Sequence, residues 1–153
     1  MLYSSTRGND QSVNFVDVLL KGLASDGGLF IPNNIPFFSK EEILEMRNLE
    51  YYELVYKVTK EFVEPEISNR DYFGICKKSY ETFSSDEIIS TTQISENEFL
   101  LNLFHGPTFA FKDYALQLLG NIYNYILEKT KSSLTILGAT SGDTGSAAIY
   151  GCS

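Results

Sequence analysis

The second half of the chain alternates apolar strand-like runs with helices, and this alternation constrains the fold more than any other feature. Residues 99–104 predict a strand, and residues 134–137 predict a second, buried strand. Between them, residues 113–129 predict a long amphipathic helix, because apolar side chains recur at helical spacing at Ala115, Leu118, Leu119, Ile122 and Ile126. A glycine-rich loop, residues 138–145, and a further helix from Ser146 follow. This order is typical of an α/β fold with a parallel sheet.

The first part of the chain predicts mostly short helices after a strand at Leu2–Ser5. Ser12 is a candidate cap for a helix that ends at Gly22, and Asn48 is a candidate start for a later helix. Ser39 with Glu42 and Ser68 with Asp71 have the spacing of capping boxes. Residues 29–31 and 88–94 predict short strands. We therefore expect a mostly helical N-terminal segment, residues 1–85, and the beginning of a parallel-sheet domain, residues 86–153.

Composition excludes several classes of function. The net charge of −8 argues against nucleic acid as the main partner. The N-terminus lacks the apolar core of a signal peptide, and no apolar run is long enough to span a bilayer. One histidine and two cysteines, Cys76 and Cys152, have no metal-ligand spacing, so we expect no metal site and a reducing cytoplasm as the compartment.

Lys112 directly follows Phe111 and directly precedes the long helix. The helix dipole and the apolar neighbours both favour the neutral form of a lysine in this place, whereas Asp113 suits the positive end of the helix. A neutral lysine amine is a nucleophile whose typical partner is an aldehyde. A solvated lysine at a helix start is the alternative interpretation.

The glycine-rich loop does not match two common phosphate-binding motifs. A Walker loop requires glycine and lysine where this chain has Asp143 and Thr144, and a dinucleotide fingerprint requires glycine where it has Thr140. A turn with Gly142 and Gly145 remains, and free backbone N–H groups at a helix N-terminus can bind a carboxylate or a phosphate. The alternative is a turn that serves only as a helix cap.

Together these motifs resemble threonine synthases. The similar segments are Phe104-His105-Gly106-Pro107-Thr108 with Phe111-Lys112-Asp113, the glycine loop continued to Ala148, and two N-terminal segments, residues 5–8 and 22–29. The resemblance runs from residue 3 to residue 151 in the family's order. It implies a two-domain α/β fold like that of tryptophan synthase β, with pyridoxal 5'-phosphate (PLP) as the cofactor.

The resemblance also implies roles for individual residues. Lys112 matches the lysine that bonds covalently to the cofactor and acts as the catalytic base. The glycine loop matches the segment that contacts the cofactor (Ser141, Asp143 and Thr144) and the substrate carboxylate (Thr140, Ser141, Gly142, Thr144 and Gly145). His105, Thr108 and Asp113 are expected to line the pocket, and a loop-bracing role is an equal alternative for His105. Many relatives of this fold have asparagine facing the cofactor's phenolic oxygen where this chain has Asp143, and a carboxylate there would repel that oxygen unless it were protonated or turned away.

The implied reaction converts O-phospho-L-homoserine and water to L-threonine and phosphate. The family's chains are much longer, so we expect an N-terminal fragment that is inactive alone and that could self-associate through its uncovered apolar surface. Two alternatives stay open. One is a non-catalytic remnant that binds a small anion or a partner protein, and the other is a PLP lyase of the same fold acting on another amino acid, such as a phosphoserine lyase or a serine/threonine dehydratase.

Overall fold

A computed structural model describes residues 1–85 and 87–152 of the chain. The chain divides into two compact units, the first spanning Met1–Gly74 and the second beginning at Ile75. The strands are β1 (Leu2–Ser5), β2 (Val13–Asn14), β3 (Phe30–Pro32), β4 (Ser90–Ser95) and β5 (Glu98–Asn102). The helices are α1 (Phe15–Lys21), α2 (Lys40–Glu45), a 3-10 turn (Met46–Asn48), α3 (Tyr51–Val63), α4 (Asn69–Tyr80), α5 (Asp113–Thr130) and α6 (Asp143–Cys152).

The first unit contains a three-stranded antiparallel sheet in the order β2–β1–β3. Tyr3 in the central strand is buried, and its hydroxyl donates a hydrogen bond of 2.6 Å to the carbonyl of Phe62 in α3. Burial, with a smaller effect of Glu66, raises the pKa of Tyr3 to about 12. The phenol is therefore neutral at physiological pH and can donate this bond, which fixes the sheet against α3.

Two helix starts in the first unit differ from the sequence-based expectation. Asn14, not Ser12, caps α1, and its side chain accepts from the Asp17 N–H at 2.9 Å. The reason is that residues 13–14 pair with β1, so that the helix cannot begin until Phe15. Asn48 likewise closes the 3-10 turn, and α3 begins at Tyr51.

Other predicted helix signals of the first unit are confirmed. Ser39 and Glu42 form the expected capping box at α2, and Gly22 ends α1 with a positive φ of 70°. Ser68 accepts from the Asp71 N–H at the start of α4, as its spacing predicts. Edge-to-face aromatic contacts then pack α3 against α4, between Tyr52 and Phe73 and between Tyr56 and Phe73.

The second unit contains an antiparallel hairpin, β4–β5, and the long helix α5. The helix matches the predicted range of residues 113–129 to within one residue. Its buried side is only partly the predicted apolar stripe: Ile122 and Ile126 are buried, but so are Asp113 and Gln117, while Ala115 is exposed. Two buried polar residues in one helix face require hydrogen-bond partners nearby.

Helices α5 and α6 pack side by side with their backbones in contact. Gln117 reaches the carbonyl of Ala147, and Gly120 touches Gly151. The contacts advance in the same direction along both helices, so α5 and α6 run parallel. The N-terminal ends of the two helices, at Asp113 and Asp143, consequently lie at the same end of the pair.

The mixed helix–strand fold is confirmed, but the strand predicted at Leu134–Leu137 is wrong for this structure. Residues 132–140 have no regular secondary structure and are exposed, with Leu137 97% exposed. A strand forms only beside a neighbour that takes up its backbone hydrogen bonds, and within the described residues no segment pairs with 134–137. All strand pairs in the described ranges are antiparallel, so the predicted parallel pairing is not among them.

The predicted boundary at residues 85/86 stays a prediction. No helix in the described part of the chain is long and apolar enough to cross a membrane. In the same residues no three His, Cys, Asp or Glu side chains cluster in a way that could hold a metal ion.

Candidate functional site

Lys112 is the last residue of a loop, residues 105–112, that is called the lysine loop below. The first turn of α5 follows it directly. The Lys112 backbone is already helical, with φ −61° and ψ −26°, and the side chain is half-buried. Its Nζ lies 4.7 Å from the centroid of the Phe111 ring. Among the described residues no carboxylate or hydrogen-bond acceptor pairs with this amine, which leaves it available to a ligand.

Asp113 braces the lysine loop from inside. Its side chain is 0% exposed and accepts two hydrogen bonds from Thr108, one from the backbone N–H at 2.8 Å and one from Oγ1 at 2.9 Å. A Cβ at Gly106 would overlap the Asp113 side chain, so the loop closes on it tightly. Both Thr108 and Asp113 were predicted to line a pocket, and the structure shows them bonded to each other.

His105 is held by groups on both sides. Its ring Nε2 lies 3.1 Å from the Ser90 hydroxyl, and its carbonyl accepts from the Ser84 N–H at 2.9 Å. The Phe104 ring lies 4.6 Å from the imidazole, centroid to centroid. These contacts favour the bracing role for His105, because they join the lysine loop to the first residue of β4 and to the segment before that strand.

Phe109 shows that the lysine loop holds an unfavourable backbone conformation. It has a φ of +59°, in the left-handed region that costs a residue with a side chain about 1–2 kcal/mol. Its ring is 73% exposed, so burial of the ring does not offset this cost. The loop is therefore held by other contacts, which include a bond from the Phe109 N–H to the Gly106 carbonyl at 3.0 Å and the Thr108–Asp113 bonds.

The glycine loop, residues 138–145, is shaped by one threonine. Thr140 Oγ1 accepts from the N–H groups of Gly142 at 3.1 Å and Gly145 at 3.0 Å. Gly142 has a φ of +142°, which L side chains rarely adopt. Thr140 therefore caps the start of α6, which is the role that the alternative interpretation of this loop predicted.

Other donors of the glycine loop stay free. Within the described residues, no acceptor is bonded to the backbone N–H groups of Ser141, Asp143 and Thr144, all of which are exposed. Asp143 is the first residue of α6. Free N–H groups at the positive end of a helix favour an anionic ligand.

A groove of about 800 Å³ borders the glycine loop. Its lining comes from the segment before the loop and from α6: Ile136, Leu137, Gly138, Thr140, Thr144, Gly145, Ala148, Ile149 and Cys152. Of the predicted site residues, Thr140, Thr144 and Gly145 line the groove, while Lys112, His105 and Thr108 are outside its lining. The parallel packing of α5 and α6 still brings Lys112 and the glycine loop to one end of the helix pair.

A family comparison identifies what this arrangement belongs to. Residues 2–80, just over half of the 153 residues, match the model of the threonine synthase N terminus. The chain belongs to the threonine synthase family. Threonine synthase from Pseudomonas aeruginosa is 51% identical over 152 residues, which are 99% of this chain and 32% of that protein. The enzyme from Saccharomyces cerevisiae is 41% identical over 98% of this chain and 32% of its own length.

Solved threonine synthase structures contain the same fold. The crystal structure of PLP-bound threonine synthase from Brucella melitensis covers 99% of this chain with a TM-score of 0.95 at 45% identity. This chain corresponds to 33% of that structure. The chain therefore spans about a third of the length of the threonine synthases it matches.

Sequence reasoning missed one residue of the site, Gln117, and it placed Thr140 at the substrate carboxylate without its role as a cap. Gln117 is buried between Asp113 and α6, and Thr140 works as a cap of the glycine loop. The signal for Gln117 was present, since it lies four residues after Asp113 and the two side chains must be neighbours on a helix. The signal for the capping role of Thr140 was weaker, because that role depends on the turn geometry at Gly142.

Proposed function

We propose that this chain supplies the lysine-bearing part of a threonine synthase, which uses PLP to convert O-phospho-L-homoserine and water to L-threonine and phosphate. Its relatives support the family and the size of the part. The observation that carries the proposal is the unpaired, half-buried amine of Lys112, at the same end of the helix pair as the free N–H groups of the glycine loop.

The residues present fit PLP in two respects. An aldehyde reacts with an amine that is not engaged in an ion pair. Lys112 has no carboxylate partner in the described ranges. The cofactor and an amino-acid substrate are both anionic, and the exposed N–H groups of Ser141, Asp143 and Thr144 are donors at a helix N-terminus. Lys112 would hold the cofactor covalently, and Ser141, Asp143 and Thr144 would contact it. Bound PLP would supply an electron sink that makes carbanion chemistry at the substrate possible.

The chain's own residues then have distinct roles. The Lys112 amine, when it is not bonded to the cofactor, would be the group that moves a proton at the α carbon and another at the β carbon of the substrate. The phenylalanine ring beside Nζ and the half-burial of the side chain exclude part of the solvent from this base. The glycine loop orients the substrate through its carboxylate, with Thr140, Ser141, Gly142, Thr144 and Gly145 around it.

Asp143 is proposed to face away from the phenolic oxygen of the cofactor. It is exposed at the first position of α6, where its carboxylate suits the positive end of the helix. It would then contribute its backbone N–H rather than its side chain. The compartment proposed is the reducing cytoplasm, which a chain with only two cysteines favours.

The proposal is tested on the complete protein, by which we mean the product of the whole reading frame that contains this chain. With PLP added, phosphate release from O-phospho-L-homoserine is measured for the wild type and for Lys112→Ala. We expect turnover in the wild type and none in the variant, with an unchanged circular dichroism spectrum. Turnover in the Lys112→Ala variant, or turnover of L-serine but not of O-phospho-L-homoserine by the wild type, would contradict the proposal.

A further inference from the structure

A chain of hydrogen bonds runs from the lysine loop, through α5, to α6. Thr108 donates twice to Asp113, and the Nε2 of Gln117 donates to Asp113 Oδ1 at 3.1 Å. The same Nε2 donates to the carbonyl of Ala147 in α6 at 3.4 Å. We propose that Asp113 and Gln117 are positioning residues that fix the lysine loop against the N-terminal end of α6, and so set Lys112 relative to the glycine loop. This inference rests on the proposed function for its catalytic consequence, though not for its structural one.

Burial makes this chain of bonds stronger than a surface network. Asp113 is 0% exposed, Gln117 4% and Ala147 0%. A hydrogen bond in such surroundings is electrostatically stronger, and an unpaired polar atom there is costly. Each member therefore constrains the next, and a shift of α6 would be transmitted to Thr108.

The donor and acceptor pattern leaves one arrangement of the Gln117 amide. Its nitrogen faces two acceptors, Asp113 Oδ1 and the Ala147 carbonyl, so its oxygen cannot take that place. Three donor hydrogens converge on the Asp113 carboxylate, which has only acceptor atoms to offer them. Aspartate at position 113 supplies the acceptors of this pattern, and glutamine at position 117 supplies the donor that joins it to α6.

Replacing either residue interrupts the chain for a definite reason. In Asp113→Asn the new NH2 group must face either the Thr108 N–H or the Gln117 side. If it faces Gln117, that amide must turn over, and its oxygen then meets the Ala147 carbonyl. In Gln117→Met the hydrogen bonds to Asp113 and to the Ala147 carbonyl are lost, while the volume of the side chain is nearly retained.

A neighbouring residue provides a matched control. Asn121 lies one turn further along α5 and donates to the Ser79 hydroxyl at 3.2 Å and to the Gln117 carbonyl at 2.9 Å. Asn121→Ala thus removes two side-chain hydrogen bonds from the same helix, neither of which goes to the lysine loop or to α6. It reports the general cost of weakening α5.

The first test is amide hydrogen exchange on the complete protein without added cofactor. In Gln117→Met we expect exchange to quicken about tenfold both in peptides covering residues 106–112 and in those covering residues 143–148. Asn121→Ala should leave both regions at the wild-type rate. Faster exchange confined to α5 in Gln117→Met would overturn the proposal, and this readout does not depend on the proposed function.

The second test separates positioning from stability. Turnover of O-phospho-L-homoserine is measured with thermal unfolding for Gln117→Met, Asp113→Asn and Asn121→Ala. A misplacement near 1 Å costs on the order of 100-fold in rate, so kcat should fall at least about tenfold in the first two variants while KM changes little. Equal losses of kcat in Gln117→Met and Asn121→Ala at equal unfolding temperature would overturn the proposal. A wild type without turnover would refute the proposed function instead, and the exchange result would still decide the structural claim.

Discussion

Gly120 in α5 and Gly151 in α6 bring the backbones of the two helices into direct contact. A Cβ at Gly120 would overlap the Gly151 carbonyl, and one at Gly151 would lie 2.6 Å from the carbonyl oxygen of Leu116. The helices approach this closely only because neither position has a side chain. The contact fixes the spacing of the two helices that carry Lys112 and the glycine loop at their N-terminal ends.

Gly120→Ala should therefore destabilise the complete protein by about 1–3 kcal/mol, the usual cost of overpacking. Urea unfolding measures the change. Gly74→Ala in α4 is the matched control, because a Cβ at Gly74 meets nothing within 4 Å. Alanine is the better helix former, so the control should be stabilised by up to about 1 kcal/mol. Equal effects of the two substitutions would contradict the close-contact account.

Gly142→Val should weaken anion binding at the glycine loop. Space is not the obstacle, since nothing lies within 4 Å of a Cβ there, but the φ of +142° strains any side chain by about 1–3 kcal/mol. We expect about a tenfold or greater loss of affinity for an unreactive substrate analogue, measured by calorimetry on the complete protein.

Gly138→Val provides the control for that experiment. Gly138 lies in the same loop without a positive φ, and a Cβ there makes only an ordinary contact at 3.9 Å with Thr140. Wild-type affinity in the Gly142→Val variant would show that the turn does not bind the substrate. Equal losses in both variants would show that the positive φ of Gly142 is not the cause of the loss.

Asp26 predicts a pH-dependent contribution to stability in the first unit. Its carboxylate accepts from the Ser5 hydroxyl at 2.7 Å and from the N–H groups of Gly28 and Asn9 at 2.9 and 3.0 Å. The Ser5 bond is the largest cause of the lowered pKa of Asp26; desolvation opposes it, and the backbone bonds from Gly28 and Asn9 add to the lowering. A depressed folded-state pKa stabilises the protein above the unfolded-state value of about 3.9, and the contribution is lost as the pH falls through the folded-state pKa.

Asp26→Asn should accordingly lower the urea midpoint at pH 7, and the difference from the wild type should shrink as the pH falls below about 3.9. Asp17→Asn is a suitable control for the general effect of removing a carboxylate. A difference between wild type and Asp26→Asn that stayed constant from pH 7 to pH 3 would contradict the assignment.

Local sequence signals predicted the parts of this fold that depend on neighbours in sequence. The Ser39–Glu42 capping box, the stop at Gly22 and the length of α5 are of this kind. Ser12 failed as a cap because strand pairing of residues 13–14, a contact between distant parts of the chain, delays the helix.

Contacts between distant segments also explain what was missed in the site. Residues 134–137 have the composition of a strand, but composition does not supply the neighbouring strand on which it depends. The link from Gln117 to Ala147 spans thirty residues and requires the parallel packing of α5 and α6, which no local pattern specifies. Lys112, in contrast, was predictable because its motif is contiguous in the sequence.

The 153 residues alone should not release phosphate from O-phospho-L-homoserine. The chain spans about a third of the threonine synthases it matches, and the groove beside the glycine loop is open, with Leu137 97% and Ile149 75% exposed. A site that positions reacting groups requires walls that this chain does not supply. Phosphate assays with added PLP should match the protein-free blank, and light scattering should show self-association through the exposed apolar groove. Steady release at the rate of the complete protein would contradict this.

Covalent labelling of Lys112 tests the central claim most directly. The complete protein is loaded with PLP, reduced with borohydride, digested and mapped by mass spectrometry. The account predicts that the peptide containing Phe111-Lys112-Asp113 carries the phosphopyridoxyl group, and that Lys112→Ala abolishes the label together with the visible absorbance of lysine-bound PLP. A major label on any other lysine of the wild type, or an undiminished label in the variant, would contradict it.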